Sequence, residues 1–100
     1  MNDIEKVFDN ARKIINDNKR FIIRPENLYE LKEGKTDVYL STITSYTRQY
    51  LCEIFKGKRC IDKKIASKIL EPIFLESVKL KEKYEKYGMD TMIEHFFKEI

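Results

Sequence analysis

Apolar residues recur along most of the chain with the spacing of helices. Ile4, Val7, Phe8, Ala11, Ile14 and Ile15 fall at i, i+3, i+4, i+7, i+10 and i+11, which predicts an amphipathic helix over residues 3–19. Asn2 can cap it, with Glu5 three residues on. Phe21-Ile22-Ile23 is too short for a helix and reads as an extended connector. Arg24 is biased away from helix because it precedes Pro25, and Pro25 suits a first helical position. Leu28 and Leu31, with Tyr29 beside them, predict one face of a helix that stops at Gly34. A hairpin from Phe21 to Leu40 around Glu33-Gly34 is the rival reading; Glu-Leu-Lys-Glu is good helix material and favours the helix.

Two short helices follow. Thr36 can N-cap one that begins at Asp37, with Leu40 and Ile43 inward. Thr44-Ser45-Tyr46 breaks the pattern. Thr47 is a second N-cap, after which Leu51, Ile54 and Tyr50 face inward. Arg48, Gln49, Cys52, Glu53 and Lys56 face outward, and Gly57 ends the element. A further helix is expected from Asp62 to Leu70, with Ile65 and Ile69 inward. Glu71-Pro72 marks a boundary, because proline is costly inside a helix but can begin one. Ile73, Phe74, Val78, Leu80, Tyr84 and Tyr87 predict the next helix, closed by Gly88. Asp90 or Thr91 then caps a last helix with Met92, Ile93, Phe96, Phe97 and Ile100 on its apolar face. The expected fold is an all-α bundle of about six helices in a single domain spanning 1–100. Its central motif covers 25–70, flanked by the helix at 3–19 and helices over 72–100.

The 100 residues allow one small core. No apolar run approaches the length of a membrane span, and the N-terminus lacks the basic start and apolar block of a signal peptide. A cytoplasmic location is the expectation, with no membrane partner. Cys52 and Cys60 are expected as free thiols, and one histidine with two cysteines does not make a metal site. His95 stands alone, the carboxylates are scattered, and no nucleophile elbow or phosphate-binding glycine loop occurs. The chain is therefore read as a non-enzyme without a cofactor.

Charge changes the picture more than composition does. Residues 1–33 carry seven basic and seven acidic side chains, residues 34–70 eight and three, and residues 71–100 five and seven. The net values are 0, +5 and −2, which sum to the +3 of the whole chain. The positive excess thus lies on the two short helices and just after them, and charge alone fits a phosphate-bearing partner and a solvated lysine surface equally.

The run Thr47-Arg48-Gln49-Tyr50-Leu51, followed by Ile54 and by Gly57-Lys58-Arg59, resembles the Cro and lambda-repressor group of helix-turn-helix proteins, also called the XRE type. With the helix before it and the helix after it, the resemblance covers about half the chain. Three positions depart from the family's pattern. Ser45 stands where glycine is usual, Thr44 where an apolar residue is common, and Asp37 where a glutamine often meets a phosphate.

The resemblance implies a small sequence-specific regulator of transcription, similar to phage or mobile-element repressors, that binds double-stranded DNA as a homodimer. A helix enters the major groove with its N-terminal side chains on base edges. Arg48 could then contact guanine, Gln49 adenine, and Glu53 the cytosine amine. Thr47, Lys56, Lys58, Arg59 and Lys35 could hold the sugar-phosphate backbone. Tyr39, Tyr46 and Phe55 do not all fit inside two short helices, so some are candidates for a dimer contact. Phe96, Phe97 and Ile100 are another, unless the last helix folds back on the first. The alternative is a helix-turn-helix kept as scaffold for a protein partner, as in an antitoxin or a phage-encoded inhibitor of a host defence complex. Asp37 and the acidic last third favour that alternative.

Overall fold

A computed structural model describes residues 19–100. The helix expected over 3–19, and its packing against the last helix, lie outside the described residues. The elements in order are β1 (Phe21–Ile23), α1 (Pro25–Lys32), α2 (Asp37–Thr44), α3 (Arg48–Phe55), α4 (Lys63–Leu75), α5 (Val78–Tyr87), α6 (Met89–Phe96) and β2 (Phe97–Glu99). Six helices bury a common core, with two short strands closing one side.

Local chemistry sets most of the helix starts. The side chains of Thr36, Thr47, Asp62 and Ser77 each accept from the backbone N–H three residues on, satisfying an amide that a helix start leaves unpaired. Pro25 opens α1. The expected cap at Asp90 or Thr91 is not used: α6 begins one residue earlier, directly after Gly88. The hairpin around Glu33-Gly34 does not form. Glu33 and Gly34 instead stand at φ 50° and 77°, the left-handed turn that ends α1.

Two expectations in the second half are corrected. Pro72 does not open a helix; it lies inside α4, and the break falls at Glu76-Ser77. Proline inside a helix costs about 3 kcal/mol. The burial of Ile69, Leu70, Ile73 and Phe74 around it offsets that cost. Pro72 has no N–H for the Lys68 carbonyl, so α4 gives up one backbone bond there. The second correction is at the C-terminus. α6 stops at Phe96, and Phe97–Glu99 form a strand antiparallel to β1, with Ile22 opposite Lys98. Phe97 is buried as expected, but Ile100 is exposed.

Side chains from far away cause that stop. Arg24 Nε donates to the carbonyls of Glu94 and Phe97, and Asn27 Nδ2 donates to that of His95. These bonds take carbonyls that the end of α6 leaves unpaired. β1 is held on its other side by Ile61, with both backbone bonds made to Phe21 at 2.8 and 2.9 Å. The connector expected at 21–23 is thus a strand. It ties the loop after α3 to the C-terminus.

Glu30 joins three helices. Its carboxylate accepts from His95 of α6 and from Lys83 of α5, both at 2.9 Å. The bonds to His95 and Lys83 hold the Glu30 carboxyl below its ordinary pKa of 4.5, against a smaller opposing effect of burial. A depressed folded-state pKa means the stabilisation is complete above the unfolded value and is lost as pH falls through the folded one. Glu30→Gln should therefore lower the urea midpoint near neutral pH, and the two proteins should converge as pH falls from neutral through and below the ordinary carboxyl value of 4.5. A constant gap across that range would show that Glu30 does not contribute through its charge.

Candidate nucleic-acid interface

Residues 45–47 connect α2 and α3. Ser45 caps α2 at φ 65°, in the left-handed region that favours glycine. The turn keeps the conformation that glycine usually supplies, with a side chain in its place. Ser45→Gly should relieve that strain and raise stability by about 0.5–1 kcal/mol, read as a shift of several degrees in melting temperature. No gain, or a loss, would mean the serine conformation carries no strain. Thr44 is buried, and its hydroxyl donates to the Leu40 carbonyl at 2.7 Å, so its polarity is satisfied within α2.

α3 buries Leu51, Ile54 and Phe55. Tyr50 is half-buried and Tyr46 stacks on it with ring centroids 5.3 Å apart. Of the three aromatic residues doubtful as core, Phe55 is buried, Tyr46 is half-buried and Tyr39 is partly exposed. Tyr39 donates to the Glu76 carboxylate. That bond pushes its hydroxyl pKa up.

The opposite face of α3 is open. Arg48, Gln49, Cys52, Glu53, Lys56 and Lys58 line one shallow depression of about 540 Å³. Arg48, Gln49, Lys56 and Lys58 are exposed, and Cys52 and Glu53 half-buried. Five of the eight site residues expected from the sequence lie on this surface. Thr47 is exposed beside it, and its oxygen already caps α3 through Tyr50 N–H, leaving its own proton free to donate.

The other two behave differently. Lys35 reaches away from α3 and donates to the Glu76 carbonyl at 3.3 Å, after the end of α4. Arg59 folds back onto α3. Its guanidinium binds the Glu53 carboxylate at 2.8 Å and covers the Tyr50 ring, 5.0 Å from the centroid. Glu53 is therefore not a bare acceptor. Asp37 is not a bare charge either, because Lys32 Nζ pairs with it at 2.7 Å and also lies over the Phe55 ring. Lys32 cancels the repulsion that Asp37 would offer a phosphate.

Sequence spacing could not reveal these pairs. Arg59 and Glu53 are six apart across a helix end, and Lys32 and Asp37 five apart across a break. Neither matches the three- or four-residue spacing of helical ion pairs. Lys64 and Lys68 are exposed on α4. Cys52 and Cys60 are both free thiols.

Among the described residues no group of three or more His, Cys, Asp or Glu could hold a metal ion, and no helix is long and apolar enough to cross a membrane. No protein-family model, curated protein or solved structure matches this chain.

Proposed function

We propose that the protein is a sequence-specific binder of double-stranded DNA, with α3 as its reading helix. It would act as a small repressor-like regulator of the helix-turn-helix kind, as a homodimer, by occupying an operator. One observation carries the reading: Arg48 and Gln49 stand exposed in the first turn of α3, on the same open depression as Lys56 and Lys58. The first two suit base edges and the last two suit phosphates. Lys32 at Asp37 supports it, because the carboxylate most opposed to DNA docking is neutralised within the protein. In this reading α2 braces α3 across the short turn, and β1, bonded to Ile61, anchors the end of the basic loop.

Selection from a random duplex library at near-physiological salt tests this. A palindromic site with half-sites about one DNA turn apart is expected. Only weak binding that disappears with added salt would reject the reading.

A second reading has its own observation. Tyr29, Val38, Leu75 and Val78 are all more than half exposed, at 87%, 57%, 56% and 80%. Lys35 and Tyr39 bring the start of α2 to Glu76, between Leu75 and Val78. Exposed apolar side chains at the start of α2 and at the α4–α5 junction, which these bonds bring together, suit a protein partner. If no duplex site is selected, this corner becomes the leading functional surface.

A further inference from the structure

A guanidinium has two edges that can each make paired hydrogen bonds: Nε with one Nη, and the two Nη atoms together. In Arg59 the first edge is occupied. Nε and Nη2 both lie 2.8 Å from Glu53 Oε2. The plane is held over Tyr50, which is itself stacked on Tyr46. Among the described residues the Nη1–Nη2 edge has no partner. Both contacts fall on Oε2, so Glu53 Oε1 keeps its lone pairs for another donor. The pair thus places guanidinium donors next to a carboxylate acceptor, with the guanidinium braced between that carboxylate and an aromatic face. It borders a hollow of about 150 Å³ lined also by Thr47 and Gln49. Gln49 and Glu53 border the larger depression of the reading face as well.

The major-groove edge of a G·C pair offers the reverse pattern: guanine N7 and O6 accept, and the neighbouring cytosine N4 amine donates. An A·T pair alternates acceptor, donor and acceptor, and does not match. The geometry points to Arg59 and Glu53 acting together as one composite reader of a G·C base pair. Arg59 donates to guanine N7 and O6 while Glu53 accepts from cytosine N4. This replaces two separate roles, a phosphate clamp at Arg59 and a lone cytosine contact at Glu53. The pair carries almost no net charge, so it adds discrimination rather than salt-dependent affinity. The inference rests on α3 reading DNA.

The test compares sites selected from the same duplex library by the wild type, Glu53→Gln and Arg59→Lys. Each variant's melting curve shows that it is folded. The wild type should select a half-site with an invariant G·C pair. Both variants should relax that same position and no other, losing roughly tenfold to hundredfold of its discrimination. Lysine keeps the charge but has neither edge, so a phosphate clamp would survive Arg59→Lys with the position unchanged. A lone cytosine contact at Glu53 would likewise leave it unchanged in Arg59→Lys. An invariant position in that variant, or two variants that relax different positions, overturns the composite reader while DNA reading by α3 stands. If the wild type selects no site, both fall.

Discussion

Arg48→Ala combined with Gln49→Ala should remove at least about thirtyfold of preference for the selected operator, because each bidentate base contact discriminates by about 1–3 kcal/mol. The fold should survive, since both side chains are exposed and neither contributes to the core. Thr47 keeps the cap of α3, and Leu51, Ile54 and Phe55 keep its packing. Residual binding should be independent of sequence and steeply dependent on salt, carried by Lys56 and Lys58. The measurement is the ratio of affinities for operator and scrambled duplex, with a melting curve beside it. Unchanged preference in a folded double variant would remove α3 as the reader.

Phe74→Ala should have the largest effect on stability, about 3–5 kcal/mol, from lost transfer energy and the cavity left behind. Phe74 is fully buried in α4 and packs against Tyr84 of α5 and Phe96 of α6, with ring centroids at 5.5 and 5.9 Å. Domains of this size are stable by only about 5–15 kcal/mol, so much of the margin would go. Urea unfolding at neutral pH measures it. The loss should appear in DNA binding too, because α2 packs on α4 and α3 packs on α2. A loss below about 1.5 kcal/mol would mean that the three helices do not depend on this ring.

How much was legible can be followed residue by residue. Thr36 and Thr47 marked their helix starts correctly because a cap acts within three residues. Gly34, Gly57 and Gly88 all take positive φ near the helix ends where they were expected. The inward and outward faces of α3 followed from apolar spacing. Pro72 misled because its penalty is local, whereas the burial that outweighs it comes from α5 and α6. Val78, Tyr29 and Tyr87 were counted in apolar helical patterns, and all three are exposed. Pattern states that a face is apolar, but not which neighbour covers it.

The candidate site divides in the same way. Arg48, Gln49, Lys56 and Lys58 could be placed together from their order on one helix and the loop after it. Lys35 could not be separated from them, because its turn toward Glu76 depends on where α4 ends in space. The strand at Phe97–Glu99 had no signal at all, since Arg24 and Asn27 act on it across about seventy residues of chain.

The sequence by itself determined the starts of the first four helices, the open face of α3 and the concentration of positive charge around it. These depend on interactions over a few residues or on residue type alone. Only the tertiary structure decided that β1 pairs with β2, that Lys32 neutralises Asp37, and that Arg59 lies on Tyr50 in a bond to Glu53. Each of those joins side chains or strands across a chain break or a long sequence separation, where hydrogen-bond geometry and charge act through space and leave no period to read.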